Sequence, residues 1–366
     1  MKKSRYLIAG LLMLSLLLCF GGCGPAQQRE IPEGHILITD CLGREVWVPQ
    51  NPQYIASLFA PGTHIIGMLG GSENVVAINE GVTRDILFVE IYPAILEARQ
   101  PRVSAVTNIE ELFKDPAPQV IFVDASTIND AKMMENLERF GVPVVAVRYN
   151  SIEELKHAFS MIGEILGSES KAAEYNAFLS DTLEMITGRL AGGGAEKKVV
   201  YHALNEILRT DITNTLSGQW IPMMGLTPAG IKEIEGADSD AKHYVSLEQL
   251  LRYDPEYIII NGADVYDYIY SDRGYRLHVL QAYKNDNIYL LPMGVTRWAH
   301  PNSIEVPLAM MWLAKLLHPE LFEDIDMAEE IKNFYLRFFD YELDDQLVEL
   351  ILEGRDLRNW RQFETP

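Results

Sequence analysis

Cysteine is scarce in this chain, with 3 among 366 residues. Cys19 and Cys23 belong to an N-terminal segment that we expect to be processed, so Cys41 alone remains for the folded part. A single cysteine can form neither an internal disulfide nor a thiolate metal site. His-x-His pairs and His-rich loops are also absent, which argues against a site for a bare zinc or manganese ion.

Basic residues are also few, since the chain has 31 Lys and Arg but 52 Asp and Glu, which gives a formal net charge of −21. Such an acidic surface repels nucleic acid, which excludes it as a partner. An anionic ligand remains compatible, because a few arginines can dominate one pocket. The chain also lacks the Gly-x-Ser-x-Gly elbow, the phosphate-binding Gly-x-x-x-x-Gly-Lys-Ser/Thr loop and the Gly-x-Gly-x-x-Gly fingerprint of common enzyme classes.

Long apolar runs are absent except near the N-terminus, at residues 6–20, where three basic residues precede the run. The run is too short to span a bilayer comfortably and predicts a secretory signal over residues 1–22. Phe20-Gly-Gly-Cys23 resembles a bacterial lipobox, which implies a lipid on Cys23, a tether over 23–35 and attachment to the membrane surface outside the cytoplasm. The alternative is an ordinary secretory signal with an incidental cysteine.

The chain contains one pattern twice, in segments that begin at Asn108 and Ser246. Each copy predicts a short helix with a glutamate in its first turn, Glu110 or Glu248, where the helix dipole favours a carboxylate. A proline-marked turn and a buried strand follow in both copies. The repetition predicts two similar α/β lobes.

The order of elements between and around these copies predicts the domain organisation. Strand, helix, strand alternation favours parallel sheets in a lobe over 36–150 and in another over 196–366. Helical periodicity is nearly continuous over 151–195, with a break near Gly167. Its second part, residues 170–190, is long enough to act as a rigid strut between the lobes.

These features together resemble the substrate-binding proteins of ABC importers for iron-siderophore, haem, cobalamin and related metal complexes. The resemblance covers about residues 36–345 and includes the N-terminal hairpin, the doubled glutamate motif, the strut and the C-terminal helices. It implies an α/β fold of two Rossmann-like lobes joined by one long helix, with the ligand between them. It also implies that Glu110 and Glu248 dock onto arginines of a permease dimer, which works with an ATPase; the alternative is that both only cap helices.

Ligand-binding residues are expected in the loops that follow the strands, because the crevice of such sheets lies beyond the strand carboxyl ends. Thr-Arg occurs in a loop of each lobe, at Arg84 and Arg297. Two guanidiniums facing each other would suit carboxylates of a chelate or an oxoanion. For Arg84 a surface ion pair with Asp85 or Glu90 is equally compatible with the sequence.

Other side chains in these loops are candidates for contact with a metal complex. His300 could ligate a metal or haem iron, and Tyr149 or Tyr201 could supply a phenolate, although a lone histidine is more often structural. Trp220 and Trp298 could stack on a flat ligand. A tyrosine-rich run at 266–270 could stack too, or pack on its own lobe.

The sequence therefore predicts a binding protein with no catalytic residue and no resident cofactor, which captures a metal complex and delivers it to an ABC permease. Molybdate or tungstate is the alternative ligand. Two other classes remain open, a tetrapyrrole metal chelatase-like enzyme and a lipid-anchored sensor.

Overall fold

Parallel sheets form the centre of each lobe in the computed structural model, which describes residues 33–103, 106–193, 197–233, 242–355 and 357. The predicted signal over 1–22 and the proposed lipid site at Cys23 lie outside these residues. Both lobes lie within the compact unit that begins at Ile36.

The first lobe is built on a six-stranded sheet in the order β6-β5-β4-β3-β7-β8, preceded by a two-stranded sheet of β1 and β2. All pairs in the larger sheet are parallel except β5 with β6. The central strands β3 and β7 are apolar and almost fully buried, as expected for a parallel sheet covered on both faces. The strands are β1 (His35–Thr39), β2 (Glu45–Pro49), β3 (Ile55–Ser57), β4 (Val75–Asn79), β5 (Arg99–Val103), β6 (Val106–Thr107), β7 (Val120–Asp124) and β8 (Val144–Val147). The helices are α1 (Ala60–Met68), α2 (Ile86–Ile91), α3 (Ile109–Leu112), α4 (Ala125–Ile128) and α5 (Ala131–Glu138), with 3-10 turns at Ser72–Asn74, Glu80–Arg84 and Pro93–Glu97.

Two consecutive helices, α6 (Ile152–Leu166) and α7 (Glu169–Gly192), connect the lobes. Ser151 caps α6 by accepting a hydrogen bond from the Glu154 amide, and Gly167 ends it with φ of 65°, a left-handed conformation that favours glycine. The predicted break is thus confirmed. At 24 residues, α7 is about 36 Å long, which agrees with the predicted strut.

The second lobe has a smaller parallel sheet in the order β11-β9-β13-β14, and β10 pairs with β12 in a separate antiparallel sheet. The strands are β9 (Val199–Ala203), β10 (Arg209–Thr210), β11 (Thr227–Pro228), β12 (His243–Tyr244), β13 (Tyr257–Ile260) and β14 (Ile288–Leu290). The helices are α8 (Leu216–Met223), α9 (Leu247–Tyr253), α10 (Ala263–Tyr270), α11 (Gln281–Lys284), α12 (Val306–Leu317), α13 (Met327–Phe339) and α14 (Asp345–Glu353), with 3-10 turns at Asp272–Leu277 and Pro319–Leu321.

One continuous hydrophobic core runs from the first sheet through α6 and α7 to one face of the second sheet and the C-terminal helices. At its centre Phe159 of α6 and Tyr175 of α7 stack with ring centroids 3.8 Å apart, and Phe338 of α13 meets the Tyr175 ring edge-on. The opposite face of each sheet has its own smaller core. The predicted two-lobed α/β fold is confirmed, and the shared core holds the lobes in one arrangement.

Candidate functional site

The loops that follow β9, β13 and β14 surround a small polar pocket with a volume of about 140 Å³. Three of its side chains are asparagines and two carry a basic group. The lining residues are Leu204, Asn205, Arg209, Asn261, His300, Pro301 and Asn302. The pocket borders the cleft between the lobes, because the Tyr149 hydroxyl of the first lobe donates a hydrogen bond to the Asn302 carbonyl at 2.9 Å.

Arg209 supplies the positive charge of this pocket. Its guanidinium makes no hydrogen bond or ion pair with the residues that the structure describes, and its Nε is buried without a partner. Leaving such donors unpaired away from bulk water is costly, so a partly buried guanidinium normally has an anionic or carbonyl partner. Among the described residues nothing accepts from this guanidinium, so its N–H groups are free to donate to the oxygens of an anion.

Arg209 is not among the ligand-binding residues predicted from the sequence. It lies shortly after the strand β9, where ligand-binding residues are expected, and this position was the available signal. In the structure it is in β10, whose pairing with β12 places Arg209 opposite Tyr244.

His300 is the predicted ligand residue that does line the pocket. His300 keeps an exposed surface, but nearby protein replaces much of the water around its imidazole, and this desolvation lowers its pKa. The negative charges of Asp85 and Asp211 oppose the shift, whereas His64 and Arg209 reinforce it. Its Nδ1 accepts a hydrogen bond from the Asn302 amide at 3.2 Å. In the neutral ring the hydrogen is then on Nε2, which is available as a donor.

The first lobe contributes a second histidine near the cleft, His64 of α1. Its Nε2 lies 2.8 Å from a carboxylate oxygen of Asp85, and its ring meets Phe88 edge-on with centroids 4.8 Å apart. The side chain is buried, and its Nδ1 has no partner among the described residues. The charges of His64 and Asp85 both act on His300, so the two lobes face each other here.

A buried carboxylate, Glu305, holds the loop 291–305 that carries His300. It accepts hydrogen bonds from the Thr296 amide at 2.8 Å, the Trp298 indole at 3.2 Å and the Tyr335 hydroxyl at 2.6 Å. Burial raises the pKa of Glu305, while these hydrogen bonds act in the opposite direction. The network connects the pocket loop to α13, and the sequence analysis missed it because burial of a glutamate has no local signature.

The remaining predicted ligand residues are occupied by contacts within the protein. Arg297 donates to the carbonyls of Leu291 (2.8 Å) and Gly354, and Arg84 is paired with Glu80 rather than with Asp85 or Glu90 as considered from sequence. The Arg84 side chain is 73% exposed.

The predicted aromatic contacts lie in the interior. The side chains of Trp220, Trp298 and Tyr149 are fully buried, and the Tyr201 hydroxyl donates to the Ile207 carbonyl. The tyrosine-rich run at 266–270 lies entirely within α10, where the rings of Tyr266 and Tyr270 contact each other. Contact of these aromatic residues with a ligand stays a prediction.

Glu110 and Glu248 occupy equivalent positions at the second residue of α3 and α9. Asn108 and Ser246 cap these helices by accepting hydrogen bonds from main-chain amides at 3.1 Å. Both glutamates are exposed. Hydrogen bonds from its own amide and from the Ser246 hydroxyl lower the pKa of Glu248, so it is charged at neutral pH. Each lobe thus presents one negative charge at the start of a capped helix.

Metal-binding clusters and membrane-spanning helices are both absent from the described residues. No three His, Cys, Asp or Glu side chains there come together closely enough to hold a metal ion. None of the helices in the same residues has both the length and the apolar character that crossing a membrane requires.

Comparison with known proteins gives a consistent result. Residues 55–293 match the sequence model of a family described as periplasmic binding protein. The molybdate-binding protein MolA of Haemophilus influenzae is 24% identical over 327 residues, which cover 83% of this chain and 90% of MolA. An uncharacterized ABC transporter substrate-binding lipoprotein of Bacillus subtilis, YvrC, is 28% identical over 180 residues, covering 47% of this chain and 54% of YvrC.

Solved structures share the fold. A periplasmic solute binding protein from Veillonella parvula has a TM-score of 0.72 and 24% identity, covering 87% of this chain and 97% of the other. MolA bound to molybdate has a TM-score of 0.70 and 22% identity, covering 84% of this chain and 99% of MolA. At these identities the likeness establishes the two-lobed architecture.

Proposed function

Because the chain belongs to the family of periplasmic binding proteins, we propose that it is the cargo-binding subunit of an ABC importer and acts outside the cytoplasmic membrane. Its partners are a permease dimer and an ATPase. The family consists of binding proteins and not of enzymes, and capture of a cargo needs no catalytic residue. In this proposal Cys23 carries a lipid that keeps the protein at the membrane surface.

The cargo is an anion that contains a metal. The observation that carries this proposal is the guanidinium of Arg209, which lies in a polar pocket beside the exposed imidazole of His300 and has no partner in the part of the chain that the structure describes. Arginine binds oxyanions through paired, charge-assisted hydrogen bonds, and the Nε2–H of His300 adds a further donor. Both a metal oxoanion and a metal chelate with free carboxylates present suitable acceptors.

The size of the pocket favours the oxoanion over a large chelate. Its volume of about 140 Å³ is well below the roughly 300–1,000 Å³ of pockets that enclose drug-sized ligands. Haem and corrinoids would extend far beyond it, whereas an anion of a few atoms such as molybdate or tungstate would fit inside. The name of MolA, which matches over most of both chains, supports the same class of cargo.

In this proposal the other predicted residues shape the site rather than touch the cargo. Arg297 and Trp298 hold the loop 291–305, Tyr149 joins Asn302 across the cleft, and Trp220 packs in the core. Glu110 and Glu248 are the docking charges, one on each lobe, that contact the permease.

The test is calorimetric titration and thermal shift of the purified protein with molybdate, tungstate, sulfate, ferric citrate and haemin. A cargo at 100 times its Kd adds about 2.7 kcal/mol to the free energy of unfolding. We expect molybdate or tungstate to bind, and Arg209→Ala to weaken that binding at least tenfold, which is about 1.4 kcal/mol.

Two variants make the result specific. Arg355→Ala removes an exposed arginine that does not line the pocket, and it should leave the affinity unchanged. Arg84→Ala tests the rival arginine of the first lobe. A loss of affinity in Arg84→Ala with none in Arg209→Ala would move the site to the first lobe, and the absence of any binding anion would contradict the proposal.

A further inference from the structure

Asn261 contributes an amide to the pocket, directly after β13, and its orientation is determined by its neighbours. The residue lines the pocket, although it is only 6% exposed. One end of the amide lies 3.4 Å from the Ala299 carbonyl oxygen, and the other lies 2.9 Å from Nε2 of His202. A carbonyl oxygen only accepts, so the nitrogen of the amide must be the end that faces Ala299.

This orientation determines the protonation of His202. The oxygen of the Asn261 amide then faces Nε2, and since that oxygen also only accepts, Nε2 must carry a hydrogen. On the other side of the ring Nδ1 lies 2.5 Å from a carboxylate oxygen of Asp211, and because an ionised carboxylate only accepts, Nδ1 donates the hydrogen of this contact. Both ring nitrogens therefore donate, and His202 is an imidazolium.

The surroundings of His202 support this charge. His202 and Asp211 are each only 1% exposed, and Thr215 donates a further hydrogen bond to Asp211 at 3.3 Å. Burial by itself would lower the pKa of His202, but the negative charge of Asp211 and the hydrogen bonds to Asp211 and Asn261 prevail and raise it. Because the charges of Asp211 and His202 offset each other, the pair adds no net charge beside the pocket, and its effect is to orient the Asn261 amide.

We propose that the buried pair of Asp211 and His202 fixes the amide of Asn261 with its N–H groups toward the pocket, which makes the pocket selective for anions. One amide hydrogen is directed to Ala299, and the second has no partner among the described residues. It donates to an oxygen of the cargo, beside Arg209. If His202 were neutral and the amide reversed, an acceptor oxygen would face the Ala299 carbonyl and the cargo, and both contacts would be repulsive. The inference on selectivity rests on the proposed function; the one on His202 does not.

The first experiment needs no cargo. Long-range ¹H–¹⁵N correlation spectra of the ¹⁵N-labelled protein at neutral pH distinguish an imidazolium from either neutral tautomer, and a His202→Gln variant assigns the signal. We expect two protonated nitrogens for His202. A neutral His202 ring would overturn the proposal, whether or not any anion binds.

The second experiment uses molybdate as the probe. Asn261→Asp keeps the shape of the side chain and its contact with His202 but replaces the NH₂ group by an oxygen, and we expect at least a hundredfold loss of affinity. Asp211 does not line the pocket, yet Asp211→Asn should weaken molybdate binding at least tenfold, because it removes the negative charge that stabilises the His202 imidazolium. Thermal unfolding checks that both variants fold. If Asn261→Asp binds molybdate as tightly as the unaltered protein does, the proposal is overturned. If the variant does not fold, the ¹H–¹⁵N spectra of His202 are the test of the proposal.

Discussion

The first lobe presents a paired histidine to the cleft, whereas the second presents an unpaired arginine. His64 is buried and has the carboxylate of Asp85 at 2.8 Å, while the guanidinium of Arg209 has no partner in the part of the chain that the structure describes. A group that is already paired gains little from a ligand, and an unpaired charge gains much. The difference suggests that the second lobe supplies the binding energy and that the first lobe covers the cargo.

The lobes also differ in how their cleft carboxylates are held. Glu305 of the second lobe is fully buried and accepts from three different residues, whereas the side chain of Asp85 in the first lobe is 24% exposed. Away from the cleft the lobes are alike, since α3 and α9 are capped in the same way and each carries an exposed glutamate. The predictions below test this pattern of likeness and difference.

The largest effect is expected where the lobes are alike. Reversing both proposed docking charges, Glu110→Lys with Glu248→Lys, should abolish uptake of the cargo into cells while its Kd stays unchanged, because in the proposed function these charges contact the permease and not the cargo. Each single reversal should reduce uptake to a similar extent. Uptake is measured with labelled molybdate, and Glu349→Lys, an exposed glutamate of α14, is the control. Unchanged uptake in the double variant, or a lost affinity, would show that both residues only stabilise their helices.

The next largest effect is a difference in the free energy of unfolding between variants of the two lobes. Glu305→Ala leaves the buried donors of Thr296, Trp298 and Tyr335 without an acceptor, and we expect the free energy of unfolding to fall by roughly 3 kcal/mol. Asp85→Ala removes a partly exposed partner of one histidine and should cost less than about 1 kcal/mol. Urea unfolding of both variants measures the difference. Equal losses would mean that the two cleft loops are held equally well.

Much of this fold could be predicted from the sequence because its signals are local. The doubled segments at Asn108 and Ser246 indicated two lobes, and helical periodicity with a break at Gly167 indicated the strut. Both depend on residues that are neighbours along the chain, so a pattern of spacing is sufficient to find them.

The site was less accessible to sequence analysis because it depends on partners that are distant in sequence. Arg297 was selected for its place beside Trp298, yet it donates to the carbonyl of Gly354 near the C-terminus. Arg209 stands out only in three dimensions, because none of the described residues around it is an acceptor for its guanidinium. The Asn261 amide is oriented by His202 of β9, by Asp211 after β10 and by the Ala299 carbonyl, which are far apart in the sequence, so no local motif predicts these contacts.

The smallest expected effect is on the pH dependence of the free energy of unfolding. It distinguishes the interior of the second lobe from its cleft surface, because one histidine in each place has a pKa shift of opposite direction. The raised pKa of His202, held by Asp211 and Asn261, contributes stability that is full below its ordinary value of 6.5 and is lost as the pH rises through the raised value. The lowered pKa of His300, which faces Asp85, Asp211, His64 and Arg209, reduces stability as the pH falls below 6.5, since the unfolded chain then takes up a proton that the folded chain does not.

Urea unfolding without cargo, from about pH 5 to about pH 9, should therefore give opposite slopes in two variants. The deficit in unfolding free energy of His202→Gln relative to the unaltered protein should shrink as the pH rises, because the lost contribution is itself disappearing. For His300→Gln the difference should appear below pH 6.5 and favour the variant increasingly as the pH falls. Slopes of the same sign would mean that both histidines experience one electrostatic environment, and the distinction between the imidazolium behind the pocket and the neutral ring in it would then be lost.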